Sequence, residues 1–187
     1  MEMKTDFEKL AGWLPKAQAQ VLHDYALLSP IPTYLEIGTF AGRSASVIAN
    51  VAKERNGFLI CIDFFMRNHK LWGTETIIPD VLLYFKEAMA KQGVADRVVT
   101  LKGNTETILP QLDGIFGFIY VDGGHIEKYL VPDLEWAYQH TMVGGYIICH
   151  DYTNKDWPDV KRCVDNFLSY NHLKIIKQVG SMVVIKR

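Results

Sequence analysis

The sequence predicts a doubly wound α/β sandwich, with a seven-stranded, mostly parallel sheet covered by helices and an antiparallel strand at its C-terminal end. Three observations lead there. Five short apolar runs alternate with segments of helical period, as parallel strands joined by crossover helices do. The chain closes on two further apolar runs joined by Gly180 and Ser181, a tight turn that forces a strand to run against the rest. The first of the five strands ends in a glycine turn, "LEIGTFAGRSA", directly before a helix.

The elements follow in order. Leu10, Trp13, Leu14, Val21, Leu22 and Tyr25 recur at roughly helical spacing over residues 7–28, interrupted by Pro15. They define a helical N-terminal segment, residues 1–32, ahead of a single domain over residues 33–187. "TYLEIG" is the first strand. "GRSASVIANVAKERNG" puts Ala45, Ile48, Val51 and Ala52 on one helical face and stops at Gly57. "FLICID" is the second strand. Residues 64–79 hold aromatics and bases without a period and are expected to be a long loop. Its Arg67, His69, Lys70 and Trp72 belong either to a substrate wall or to a solvated surface. "DVLLYFKEAMAKQG" reads as a helix, "RVVTLKG" as the third strand, "TETILPQL" as a short helix and "GFIYVD" as the fourth strand. "VPDLEWAYQHTM" is a helix with Pro132 in its first turn, "GYIICHD" the fifth strand, and residues 157–170 the last helix.

Composition bounds the function. A chain of 187 residues, 49% hydrophobic and 22% charged, is an ordinary globular domain. A formal net charge of -1 creates no broad cationic field, so neither nucleic acid nor membrane is expected as a partner. No apolar stretch reaches bilayer length, and the N-terminus lacks a leader pattern. Cys61, Cys149 and Cys163 are odd in number and lack C-x-x-C spacing, which argues for a reducing, cytoplasmic setting rather than disulfides or structural zinc.

In such a sheet, ligands sit beyond the carboxyl ends of the strands. Gly38 and Gly42 let the chain turn sharply, and the next helix aims its partly positive N-terminus at any carboxylate. Glu36 would repel a pyrophosphate but suits a ligand carrying an ammonium or hydroxyl donors. Asp63 ends the second strand, where an acid accepts both hydroxyls of a ribose. Thr39 and Ser44 share the glycine turn. Asn104 and Thr105 follow the third strand, either near an adenine or as a helix N-cap. A ligand with a cationic amino acid at one end and a ribose at the other is S-adenosylmethionine. The dinucleotide pattern G-x-G-x-x-G is missing, because Phe40 stands at its second glycine.

"EIGTFAGRSA" resembles the first motif of class I methyltransferases, in the E-x-G-x-x-x-G-x-S form of O-methyltransferases of the catechol and caffeoyl-CoA type. "GFIYVDGGHIEKYLVPDLEWAYQHTMVGGYIICHDY" is similar to the second half of macrocin-type sugar O-methyltransferases and cephalosporin-hydroxylase-associated proteins. The resemblance covers residues 34–152. It implies a Rossmann-like class I fold closed by an antiparallel hairpin, S-adenosylmethionine as cofactor and a small-molecule hydroxyl as acceptor; a homodimer is reasonable for such a domain.

Asp122 and Asp151 end neighbouring strands, about 4.8 Å apart in the pairing direction, so their carboxylates can converge on one divalent cation. Oxygen ligands favour Mg²⁺, whereas His150 also accommodates Mn²⁺, giving Asp122, His150 and Asp151 as the metal set. The family pattern has two acids where this chain has His150 and Asp151. His125, after the double glycine of "VDGGH", is the candidate base, with Asp122 and Asp151 completing the catalytic set. Three rivals stand beside this reading: a non-catalytic cofactor binder on the same fold, an NAD-linked oxidoreductase and an RNA 2'-hydroxyl methyltransferase.

Overall fold

The computed structural model describes residues 5–71 and 73–187; Trp72 of the expected loop and residues 1–4 of the N-terminal segment lie outside them. Strand β1 (Thr33–Ile37) is central because its side chains Tyr34, Leu35, Glu36 and Ile37 are all buried, as a strand covered on both faces requires. It pairs in parallel with β2 (Phe58–Asp63) on one side. The short hairpin strands β3 (Arg67–Lys70) and β4 (Ile77–Asp80) form a separate two-stranded sheet. Strand β5 (Val98–Lys102) extends the main sheet beside β2, and β6 (Phe116–Val121), buried throughout, flanks β1 on its other side. Beyond β6 lies β7 (Thr141–Cys149), and then β9 (Met182–Lys186) and β8 (Ile175–Val179), giving the order β5-β2-β1-β6-β7-β9-β8. Only β9 runs against the others in this sheet, since β7 and β8 each pair with it antiparallel.

Helices cover both faces. On one, α1 (Lys16–Leu28), α2 (Arg43–Glu54) and α3 (Val81–Lys91) bury Leu22, Ile48 and Phe85 against Tyr34, Phe118 and Ile148. On the other, short α4 (Thr105–Ile108), α5 (Glu127–His140) and α6 (Pro158–Tyr170) seal Ile37, Ile119 and Ile147 under Leu134 and Val164. The N-terminal residues share the first core: Phe7 is 2% exposed, and Pro15 immediately precedes α1. None of the helices among the described residues is long and apolar enough to cross a membrane.

Two local expectations are corrected. The stretch 64–79 is not one long loop, since it contains β3 and most of β4, which pair with Arg67 opposite Asp80 and His69 opposite Ile78, with the Leu71 amide on the Thr76 carbonyl. Of the eight hairpin-strand residues only Ile78 is buried, so the pattern has no alternation to detect. Pro132 sits inside α5 rather than in its first turn, because the helix starts at Glu127 where the Tyr129 and Leu130 amides bond the Ile126 carbonyl. There it removes one intrahelical donor.

Candidate active site

The carboxyl edge of the sheet gathers the ends of β1, β2, β6 and β7. After β1 the chain turns through Gly38 (φ +84°), Phe40 (φ +48°) and Gly42 (φ +93°), and α2 begins at Arg43. Gly38 is pressed against the end of β6: a Cβ there would lie 2.1 Å from the Asp122 carbonyl oxygen. Glycine is therefore required by both space and backbone conformation. Phe40 is a bulky residue in the left-handed region, a strained position. Its amide donates to the Asp63 carboxylate at 2.8 Å, its ring stacks on Trp13 at 5.7 Å, and His69 of the hairpin meets it edge-on at 4.9 Å. The N-terminal segment and the hairpin thus both lean on the turn, and Arg43 reaches back to bond the Gly12 carbonyl.

Asp63 closes β2 with two backbone donors on its carboxylate, from Phe40 and from Phe65 at 2.7 Å. A carboxylate offers about four acceptor positions, so room remains for the two hydroxyls of a ribose. These free acceptor positions fit a nucleoside. Glu36 behaves differently from the expectation of a charge offered to a ligand: it is 0% exposed and lies beneath the turn. Thr39 Oγ1 donates to its Oε2 at 3.1 Å, Ser44 donates to Oε1, and Cys61 Sγ lies 3.7 Å from Oε2. It knits β1, β2 and the start of α2 into one piece. Burial raises its pKa to about 8, against the pull of the Ser44 and Thr39 hydrogen bonds.

A pH dependence follows. The folded value lies above the unfolded value of 4.5, so this group's stabilisation is complete below pH 4.5 and is lost as pH rises through about 8. Glu36→Gln keeps the shape without the charge. It is expected to hold its stability between pH 5 and 8 where the wild type loses a few kcal/mol; urea denaturation at the two pH values reads the difference, and parallel curves for both proteins would contradict it.

Asn104 caps α4, its side chain accepting from the Glu106 amide at 3.1 Å, and Thr105 is the first residue of that helix. Nearby, Asp133 of α5 is 2% exposed, with Oδ2 unpartnered among the described residues and its pKa raised by burial to about 6. That oxygen lies 3.5 Å from the position of a Cβ on Gly123, in the turn after β6.

The ends of β6 and β7 carry the titratable cluster. Tyr120 donates to Asp122 Oδ2 at 3.0 Å, which turns Oδ1 toward two histidines: His125 Nε2 at 3.8 Å and His150 Nδ1 at 3.5 Å. Asp151 Oδ2 faces the same pair, at 2.9 Å from His125 Nε2 and 3.2 Å from His150 Nδ1. Asp151 itself adopts φ +56° just past the strand, which points its carboxylate back into the cluster, and Asn154 donates to its Oδ1. Both carboxylates lift His125, against burial, to about 9; the same two groups raise His150, and the imidazoles hold Asp151 far below the usual carboxylate range. Both carboxylates favour the protonated ring of His125, and a cation between them would oppose that pull.

Donor atoms of Asp122, His125 and Asp151 all lie within 4.8 Å of one another. Adjacent ligands of a small divalent ion sit about 3 Å apart, so these side chains are close enough to converge on such an ion. His125, expected only as a base, stands in this set where His150 was expected, while His150 Nδ1 faces the same two carboxylates at 3.5 and 3.2 Å. Two further neighbours carried no sequence signal. Gln18 of α1 meets His150 Nε2 at 2.9 Å across 132 positions, and Trp157 stacks on the His125 ring at 4.7 Å and 21°.

Residues 35–152 match a family described as "Methyltransferase domain". Among curated proteins the chain is similar to O-methyltransferase hkm8 of Aspergillus hancockii, 31% identical over 75% of this chain and 51% of that protein. The chain spans 51% and 59% of the lengths of the first two curated relatives it matches. Its fold is that of the O-methyltransferase TomG from Streptomyces achromogenes, solved in complex with SAM, at TM-score 0.70 and 23% identity over 93% of this chain and 81% of that one. It is also that of the O-methyltransferase from Bacillus cereus in complex with SAH, at TM-score 0.70 and 17% identity over 95% and 84%.

Proposed function

The chain belongs to the methyltransferase-domain family, and we propose that it transfers a methyl group from S-adenosylmethionine to a hydroxyl of a small molecule, of sugar, phenol or natural-product type. One observation carries this reading. The glycine turn and the carboxylate–imidazole cluster meet at a single rim, with Gly38 packed on the Asp122 carbonyl. The cofactor would lie from Asp63, at its ribose, past Gly38 and Gly42, with its adenine toward Asn104 and Thr105. Glu36, Thr39 and Ser44 hold the shape of the turn from below. The names of similar proteins, two of them solved with SAM or SAH, support the same chemistry.

S-adenosylmethionine supplies the electrophilic methyl, and a divalent ion held by Asp122, His150 and Asp151, Mg²⁺ or Mn²⁺, would supply charge that acidifies the acceptor hydroxyl and offsets both carboxylates. The chain's own residues orient the acceptor and move its proton. His125 Nε2 donates to Asp151 at 2.9 Å, so Nδ1 is the ring nitrogen that would receive the proton, and Asp151 stabilises the resulting imidazolium. Holding the acceptor oxygen in line with the methyl provides much of the remaining rate. The three cysteines are free and buried, which supports action in a reducing compartment such as the cytoplasm.

Calorimetric titration with S-adenosylhomocysteine tests the cofactor. Saturable binding is expected for the wild type and loss of it for Asp63→Ala; a folded wild type that binds none overturns the reading. Transfer of labelled methyl to a panel of hydroxylated acceptors then separates an enzyme from a binder. An enzyme slows by about 10²-fold or more on His125→Ala, whereas a binder shows no turnover to lose.

A further inference from the structure

We infer that Gln18 sets the donor atom of His150 and thereby makes the cluster at the sheet edge a mixed nitrogen–oxygen site that prefers Mn²⁺ to Mg²⁺. The inference rests on the metal named in the proposed function and concerns how this chain tunes it. Gln18 is 4% exposed, and its amide is fully engaged. Nε2 donates to the Val179 carbonyl at 3.2 Å and to Ser181 Oγ at 3.1 Å, while Oε1 lies 2.9 Å from His150 Nε2.

These contacts fix the orientations in sequence. A backbone carbonyl only accepts, so the amide nitrogen must face Val179 and the amide oxygen must face His150. An amide oxygen also only accepts, so His150 Nε2 must carry a proton. Nδ1 is then the nitrogen left for the cluster, and it is the one that lies 3.5 Å from Asp122 Oδ1 and 3.2 Å from Asp151 Oδ2. A hydrogen bond on the far nitrogen is the usual means by which a protein fixes the tautomer and ring orientation of a metal-binding histidine. With His125 kept as the base, a carboxylate at this position would leave only oxygen ligands, the set Mg²⁺ favours; an imidazole nitrogen shifts preference to a first-row transition ion. Gln18 belongs to α1, and its partners Val179 and Ser181 border the terminal hairpin turn, so the two ends of the chain together orient His150.

Separate calorimetric titrations with MnCl₂ and MgCl₂ are the test. For the wild type, Mn²⁺ is expected to bind at least about tenfold more tightly than Mg²⁺. Gln18→Leu is expected to weaken Mn²⁺ binding about 10- to 100-fold and Mg²⁺ binding less. Gln18→Glu keeps an acceptor opposite Nε2 but turns its second oxygen on the Val179 carbonyl, so its Mn²⁺ affinity is expected to fall between those of the wild type and Gln18→Leu. Histidine ¹⁵N NMR of the Zn²⁺-loaded wild type is expected to show His150 protonated at Nε2 and ligated through Nδ1, and this decides the question even if Gln18→Leu fails to fold. Equal affinity for the two ions in the wild type, unchanged Mn²⁺ affinity in Gln18→Leu, or ligation through Nε2 would each overturn the inference. A wild type that binds S-adenosylhomocysteine but neither ion overturns it too, leaving methyl transfer standing without a metal. Mn²⁺ selectivity without S-adenosylhomocysteine binding would remove the methyl-transfer reading and leave this one intact.

Discussion

Asp151→Asn is expected to lower methyl transfer about 10³-fold while S-adenosylhomocysteine still binds. Asn is the informative replacement because position 151 sits at φ +56°, a conformation that Asp and Asn tolerate better than other non-glycine residues. The backbone turn past β7 should survive, and the Asn154 amide can still find an oxygen acceptor at 151. What disappears is the negative charge that faces both His125 and His150. His125 then loses the partner that would stabilise it after it takes the acceptor proton, and any cation loses one of its two carboxylates. Asp151→Ala would confound these losses with backbone strain, so a larger fall in stability for Ala than for Asn is part of the same expectation. Equal turnover in wild type and Asp151→Asn, with saturating cofactor and acceptor, would remove Asp151 from the chemistry.

The sequence made the sheet and its carboxyl edge legible because parallel strands buried on both faces are continuous apolar runs, and β1, β2 and β6 are such runs ending at Asp63 or just before Gly38 and Asp122. The reversal of β9 was legible from a two-residue turn alone. The hairpin of β3 and β4 was hidden because its strands bury almost nothing, and the start of α5 because its N-cap, Ile126, is not a capping residue type. At the site, residue types on adjacent strand ends announced Asp122, His150 and Asp151. Contacts between distant elements did not announce themselves: Gln18 on His150, Trp157 on His125, and Trp13 on Phe40 depend on how the N-terminal segment and the residues before α6 wrap the edge. Glu36 was found for its charge, and its place is beneath the turn, where the Thr39 and Ser44 hydroxyls donate to it.

Gly38→Ala is expected to give the largest loss of stability of any substitution discussed, about 3 kcal/mol or more. Two costs combine. At φ +84° an L side chain is strained, by about 1–2 kcal/mol, and the new Cβ would lie 2.1 Å from the Asp122 carbonyl oxygen and 2.6 Å from the Gly123 Cα. Both obstacles are backbone, so no side chain can swing aside, and relief requires β1 and β6 to part at the end where Asp122 enters the cluster. Gly144→Ala separates the two costs, since Gly144 has the same φ of +84° and nothing within 4 Å of an added Cβ. It should lose only the conformational share, keep S-adenosylhomocysteine binding and keep activity. Gly38→Ala should lose more in denaturant midpoint and, in whatever fraction folds, lose cofactor binding and turnover together, because the displaced atoms belong to the turn and to the cluster at once. Equal destabilisation by the two alanines would mean that the ends of β1 and β6 yield freely, and the rigid shared rim on which the catalytic geometry depends would not exist.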